Sequence, residues 1–354
     1  MAGRIVCFGA TGYTGTLIAE RLLAAGAQPV LAGRDTSRLQ ALADRLGGGL
    51  EVVKADVFRQ NSVFALLEPG DVLVSTVGPF AKYGDVAVRA AIAAGATYID
   101  STGEPTFIRR VFENFDAPAR KQGAALLTAL GYDWVPGALA GSLALEEAGA
   151  GAVRVEIGYF VKNASASAGT RESLVGASLD PGFAWRHGRV VTERGAARVR
   201  SFGAAGAAFS AGGAEHFTLP LAYAHLREVN TYIGAGPLTR GVQLAAAATA
   251  LAQRMPGSRT VMQAAGERVA ARVPGRAETA ASSRIVATAH DADGRQLAEI
   301  VLEGPDPYDF TASFIAWAAQ RRVEGAGALS PVLAFGGLDV LATGCAGAGI
   351  SPAA

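Results

Sequence analysis

Three glycines, Gly9, Gly12 and Gly15, stand at three-residue intervals behind a short apolar run, Arg4–Phe8. A helical pattern follows at once, with Leu17, Ile18, Leu22 and Leu23 on one face. Glycines so placed do a specific job. Gly9 permits a tight turn, Gly12 lets backbone N–H groups reach a pyrophosphate, and Gly15 lets the helix pack close to the strand. The free N–H groups and partial positive charge at the start of the helix then face the phosphates. The stretch Gly9, Ala10, Thr11, Gly12, Tyr13, Thr14, Gly15 is therefore the expected cradle of a dinucleotide. Its spacing is GxxGxxG rather than GxGxxG, and an ordinary strand–turn–helix without a ligand is the competing reading.

The next segment bears on which dinucleotide. Pro29–Gly33 reads as a second strand, and an NAD site places an acidic residue at its end to hold the ribose 2′-hydroxyl, about 20 residues after the glycines. Here Arg34 stands nineteen residues beyond Gly15, with Asp35 beside it and Arg38 four residues on. A guanidinium fork suits a 2′-phosphate. One charge-assisted hydrogen bond contributes roughly 1.5–3 kcal/mol, which corresponds to about a 10- to 100-fold preference for NADP over NAD. Two alternatives stay open: a small rotation would aim Asp35 at the ribose, and Arg38 would equally serve as a solvated helix residue. Thr36 is the expected N-cap of a helix over 37–46.

Proton-donating side chains are sought in the loops beyond the strand ends, where ligands of such sheets bind. The loop from Val77, Gly78, Pro79 and Phe80 through Ala81, Lys82, Tyr83 and Gly84 is expected to pass the nicotinamide ribose. Tyr83 is the first candidate donor, and Tyr132 and Asp133, in the loop 131–137, come next. If Tyr83 donates, Tyr83→Phe slows the chemical step at least about a hundredfold. A packed loop aromatic is the plainer reading of Tyr83, and solvent delivery would leave no single residue essential. Asp56, closing a third strand, is expected to meet the adenine or to cap a helix. Asp100 and Glu104 lie close in sequence, with Ser101 or Thr102 expected to cap the next helix.

The elements that must position these groups alternate. Strands are expected over 51–55, 71–76, 97–100 and 124–130, and helices over 62–67, 86–94 and 107–122, the last with a break near Pro118. The run 71–76, almost wholly apolar, reads as buried on both faces. This is the pattern of an α/β, Rossmann-type doubly wound parallel sheet. At 354 residues the chain exceeds one ordinary core. The expected boundaries are 1–148 for the nucleotide-binding domain, 149–308 for an inserted α+β substrate and dimerisation domain, and 309–354 for a segment returning to the first domain. In the second domain a strand is expected over 153–161, a helix over 170–179 and an alanine-rich helix over 237–255. Asp291-Ala292-Asp293-Gly294 is expected to join strands 284–290 and 296–302. The Ala-, Gly- and Ser-rich stretch 195–213 reads as a loop lid, and 310–321 as a returning helix.

Taken together, GATGYTG at 9–15, AGRD at 32–35, STVGPFAKYG at 75–84, ATYIDSTGE at 96–104 and GYDWVPGALAG at 131–141 resemble the saccharopine dehydrogenase-like oxidoreductases. More narrowly, they are similar to the trans-acting enoyl reductase branch. SAGTRES at 167–173, EGPDPYDFTA at 303–312 and GALSPVLAFG at 327–336 fit as well. The resemblance implies an NADP-binding Rossmann domain, a second mixed domain that often pairs two copies, and NADPH-dependent reduction of C=C or C=N bonds. It implies a small-molecule substrate, with a carrier-protein-bound acyl chain as one form. An obvious cluster for the two amino-acid ends of saccharopine is lacking.

Composition excludes other classes. Net charge is +1, so no electrostatic footprint for nucleic acid or an anionic membrane is present. Two cysteines, Cys7 and Cys345, make neither a disulfide framework nor a metal-ligand spacing. No signal segment precedes the first strand, and no uncharged apolar run reaches the ~18 residues of a membrane span. A cytoplasmic homodimer without metal is expected. None of His187, His216, His225 and His290 has a partner at ligand spacing, although His216 or His225 could line a cleft; a surface or satisfied histidine is the plainer reading of both. The Ala-Ser-Ala-Ser run at 164–167 has no base beside it. Three functions stand: an enoyl reductase, marked by a long apolar cleft; an imine reductase, marked by arginines such as Arg171, Arg186 and Arg227 converging on carboxylates; and a non-catalytic NADP sensor with a blocked nicotinamide face.

Overall fold

The computed structural model describes residues 3–163, 182–252 and 281–353. The chain divides into two compact units: residues 1–102, 107–133 and 307–348 make the first, and 103–106, 134–306 and 349–354 the second. The first boundary therefore falls at 133/134 rather than 148. The helix Val135–Ala148 goes with the second unit because its apolar residues pack on that unit's sheet; Gly141, for example, faces Ile157 and Leu219.

In the first unit, β1 (Ile5–Phe8), β2 (Val30–Gly33), β3 (Val52–Lys54), β4 (Val72–Ser75), β5 (Thr97–Asp100) and β6 (Ala125–Leu127) form one parallel sheet. Its order is β3-β2-β1-β4-β5-β6, with the short strand Gly327–Ala328 added beyond β6. The expected doubly wound parallel sheet is thus present. Central strands such as IVCF are apolar throughout because helices cover both faces. The order reverses between β1 and β4, where Phe8 lies opposite Ser75, and this is the switch point at which such sheets bind ligands.

The helices are α1 (Tyr13–Ala24), α2 (Thr36–Arg45), α3 (Gln60–Phe64), α4 (Phe80–Ala94), α5 (Pro105–Arg110) and α6 (Asp116–Gln122). Several differ from expectation, α3 among them, which ends at Phe64 rather than Leu67. The cap of α2 is Asp35, not Thr36: its carboxylate accepts the Arg38 N–H at 3.0 Å. Helix α4 starts at Phe80, so the expected loop 77–84 shrinks to Val77–Pro79; Pro79 ends it with an extended backbone and its carbonyl opens the helix. Helix α5 starts at Pro105, three residues beyond Thr102, whose N–H donates to Asp100 Oδ1 at 2.9 Å. The break in 107–122 falls at Val111–Phe115, a π-type turn ahead of Pro118 that shifts the register before a residue without an N–H.

The second unit holds a nine-stranded sheet among the described residues. Arg154–Lys162 lies between Glu228–Gly234, parallel to it, and Ser282–His290, antiparallel. The expected hairpin is present: Ser282–His290 pairs with Gln296–Gly304. The stretch 195–213 is not a lid. It contributes strands Val199–Ser201 and Ala207–Ala211, because Phe202, Ala208 and Tyr232 bury one face in a common cluster. The alanine-rich helix spans Thr239–Ala252. The expected helix 170–179, the serines of 164–167 and Arg171 lie outside the described residues. Among the described residues no helix is long and apolar enough to cross a membrane. In the same residues no group of three His, Cys, Asp or Glu could hold a metal.

Candidate functional site

The glycine loop is built as the spacing requires. Gly9 has φ +91°, and a Cβ there would lie 2.7 Å from Thr76 Oγ1. A Cβ on Gly15 would overlap the Gly9 carbonyl oxygen. Gly12 is the N-cap of α1, with extended backbone and no side-chain cap. A helix start whose cap residue carries no side chain leaves room beside its N–H groups, which is what an anion site at a helix start needs. These features fit a diphosphate.

Two threonines that the sequence reading passed over tighten this loop. Thr16 Oγ1 donates to the Ala10 carbonyl at 3.0 Å, and Thr76 Oγ1 to the Gly9 carbonyl at 3.1 Å. Gly9 N–H donates to the Ala32 carbonyl at 2.9 Å, which ties the loop to β2. Ala10 is buried, Thr11 and Thr14 are half-buried, and Tyr13 is 40% exposed with its ring edge-on to Tyr308 at 5.0 Å.

At the end of β2, Arg34 and Asp35 are exposed. Arg38 Nη2 donates to the Thr11 carbonyl at 3.3 Å, so this guanidinium stands at the glycine loop. Asp35 spends one carboxylate oxygen on capping α2. Asp56 is half-buried in the turn after β3 and accepts the Phe58 N–H at 3.0 Å; it opens a turn rather than a helix. Val77 and Pro79 are half-buried, Gly78 is exposed, the Gly78–Pro79 bond is cis, and Phe80 is buried against Phe107.

The three proton-donor candidates sit in unlike surroundings. Tyr83 lies in the first turn of α4, half-buried, edge-on at 5.7 Å to the ring of Phe58, which is 72% exposed. Tyr132 is buried, edge-on to Phe310 at 6.3 Å. Asp133 meets solvent, yet protein crowds it enough that desolvation pushes its carboxyl up to about 6. Such a value suits an acid working near neutrality. Tyr132 and Asp133 are neighbours in the loop after β6, and Tyr83 lies in α4.

A buried carboxylate underlies this loop. Asp100 Oδ1 accepts the N–H groups of Thr102 at 2.9 Å and Ala129 at 2.8 Å, and Oδ2 accepts the Thr128 hydroxyl at 2.7 Å. Desolvation pushes Asp100 up to about 6, opposed by these hydrogen bonds and one with Tyr98. The folded state therefore binds this proton more tightly than the unfolded chain does. The penalty of the charged form is full above about pH 6 and is relieved as pH falls toward the ordinary carboxyl value. Relative to Asp100→Asn, the native protein is expected to gain thermal stability between about pH 7 and about pH 5, read as the difference in Tm; parallel Tm curves would refute this.

In the second unit, the Tyr159 hydroxyl accepts the Gly137 N–H at 2.8 Å and donates to the fully buried Glu215 at 2.6 Å. His216 is buried against the Gly213 backbone and desolvation lowers it to about 4, so it is a neutral packed histidine. His225 is exposed, edge-on to Tyr223. Arg186 is committed to Glu228 at 2.7 Å.

Residues 5–127 match the family profile described as the saccharopine dehydrogenase NADP binding domain. A Mycobacterium tuberculosis (strain ATCC 25618 / H37Rv) protein provisionally named as a trans-acting enoyl reductase is 40% identical over 137 residues. The trans-acting enoyl reductase of Mycobacterium bovis (strain BCG / Pasteur 1173P2) is 36% identical over 137 residues. Each match covers 37% of this chain and 33% of the relative, so it spans about a third of those relatives' length. Among solved structures, apo saccharopine dehydrogenase (L-Glu forming) from Saccharomyces cerevisiae superposes with a TM-score of 0.56 at 11% identity. That superposition covers 97% of this chain and 96% of that one, and the likeness is one of fold. The family resemblance carried by the motifs is thereby found again, and the nucleotide of that domain family is NADP.

Proposed function

We propose, from the premise that residues 5–127 form a saccharopine dehydrogenase-type NADP-binding domain, that this chain is an NADPH-dependent oxidoreductase reducing the activated C=C bond of an acyl or polyketide-type substrate. The observation that carries the reading is the loop Gly9–Gly15: the Gly9 carbonyl occupies the space of a Gly15 side chain, and α1 starts without a side-chain cap. The choice of C=C rests on the enoyl reductase names of the relatives. A carrier-bound thioester is the form of substrate that this reading takes. The imine alternative gains no support from Arg186, whose guanidinium already holds Glu228.

NADPH, when bound, supplies a hydride. The chain's own residues do the rest. Backbone N–H groups of the glycine loop hold the diphosphate. Arg34, with Arg38 beside the loop, grips the 2′-phosphate. Val77–Phe80 shape the ribose side. Asp133 holds the proton that the substrate carbon takes up, a contribution of about 10²- to 10⁴-fold in rate.

The test is direct. Crotonyl-CoA added to the protein with NADPH is expected to consume NADPH and yield the saturated thioester, followed by nucleotide fluorescence and mass spectrometry. Failure to bind either nicotinamide nucleotide in calorimetry would overturn the proposal. Arg34→Ala is expected to raise the NADPH Kd about 10- to 100-fold and to leave the NADH Kd nearly unchanged. Equal losses for both nucleotides would remove Arg34 from the 2′-phosphate.

A further inference from the structure

The loop that carries Asp133 follows β6 without regular structure of its own, yet it is tied at both ends. At its start, Ala129 has φ +58°, a left-handed backbone that residues with a side chain seldom adopt. Its N–H is delivered to the buried Asp100 carboxylate, and the Thr128 hydroxyl reaches the other oxygen of the same group. The Leu130 N–H donates to the Asp100 carbonyl at 2.7 Å. Three consecutive residues are thus fastened to one residue at the end of β5.

The far end is fastened from the distant C-terminal part of the first unit. The Tyr132 N–H donates to Thr311 Oγ1 at 2.9 Å, while that hydroxyl donates to the Pro307 carbonyl at 2.7 Å. The hydroxyl therefore acts as donor and acceptor at once. Gly131 lies flat against it: a Cβ there would sit 3.0 Å from Thr311 Cγ2 and 3.1 Å from Oγ1. The sequence signal was the segment EGPDPYDFTA, to which no role could be attached from the sequence alone.

We propose that Asp100 and Thr311 are positioning residues that clamp residues 128–132 from opposite ends and thereby hold Asp133 at the reducing site. Neither touches substrate or nucleotide in this scheme. The clamp rests on the reading of Asp133 as the proton-holding group, and its test separates the two.

The experiment compares Thr311→Val, which keeps the shape and removes the hydroxyl, with Thr311→Ser, which keeps the hydroxyl. Amide hydrogen exchange at 128–133 is expected to quicken about tenfold or more in Thr311→Val and to stay at the native rate in Thr311→Ser. Carboxyl carbon NMR of Asp133 is expected to move from a midpoint of about 6 toward the ordinary carboxyl value in Thr311→Val and not in Thr311→Ser. NADPH Kd is expected to hold within about twofold, and kcat with crotonyl-CoA to fall about tenfold or more, recovering in Thr311→Ser. Asp100→Asn, of equal volume, is the second probe and is expected to quicken exchange at Thr102 and Ala129. Unchanged exchange and an unchanged Asp133 midpoint in Thr311→Val and Asp100→Asn would overturn the clamp, whatever the turnover. A native kcat in Asp133→Asn would instead strike the reading of the site and leave the exchange result to decide the clamp.

Discussion

Asp133→Asn is expected to slow the chemical step by about 10²- to 10⁴-fold while leaving the NADPH Kd within about twofold. Asparagine keeps the size of the side chain and removes the titrating proton. The magnitude follows from what a placed proton donor contributes over solvent. The direction with pH follows from the protein that crowds this solvent-facing carboxyl. Desolvation puts the Asp133 carboxyl at about 6, above the ordinary carboxylate value, so the protonated form persists to a higher pH than for a free side chain. An acid that must be protonated in the free protein makes kcat/KM fall as pH rises through about 6, and Asp133→Asn should flatten that limb. Single-turnover oxidation of NADPH with crotonyl-CoA across about pH 5 to 9 reads both effects. Tyr83→Phe is the companion measurement. Its ring packs on Phe58 in the first turn of α4, so a change within a few-fold is expected there. A hundredfold loss in Tyr83→Phe together with an active Asp133→Asn would transfer the role.

The sheet was legible because its signals are local. Six short strand runs separated by helical periods, with Gly95 ending α4 in the left-handed region, need no distant partner to be recognised. The glycine loop was legible for the same reason: strand, turn and helix are contiguous. What could not be read depends on contacts made across the chain. Whether Asp35 or Thr36 caps α2 is decided by one residue of register. The start of α4 at Phe80 reflects a proline whose extended backbone ends the loop sooner than its glycines suggest. The low-complexity stretch 195–213 has the composition of a loop, and only pairing with Glu228–Gly234 turns part of it into strand. The support of the candidate site was the least legible part. Thr76 reaches back to Gly9 across 67 positions, and Thr311 reaches Tyr132 across 179.

The glycine loop gives the second large expectation, a Gly15→Ala variant that loses NADPH binding at least about a hundredfold and is destabilised by about 1–3 kcal/mol. The added methyl would overlap the Gly9 carbonyl oxygen and lie 2.8 Å from Thr76 Oγ1 and 3.0 Å from Ala10 Cα. None of these neighbours can give way cheaply. The Gly9 carbonyl accepts the Gly12 N–H at 2.9 Å and the Thr76 hydroxyl at 3.1 Å, so moving it unmakes the turn. The alternative is for α1 to withdraw from β1, which carries its uncapped first turn away from the phosphates. Gly12→Ala separates the two consequences. Its Cβ would lie 3.2 Å from the Gly9 oxygen, on an exposed residue whose backbone is already extended. That methyl asks the Gly9 carbonyl to give by a few tenths of an ångström, less than Gly15→Ala demands, yet it stands where the diphosphate is expected to rest. Gly12→Ala should therefore lose less Tm than Gly15→Ala while losing nucleotide affinity as heavily. Native NADPH affinity in Gly12→Ala would mean that the cradle lies elsewhere, since no diphosphate seated on these amides could ignore a carbon placed at the helix start.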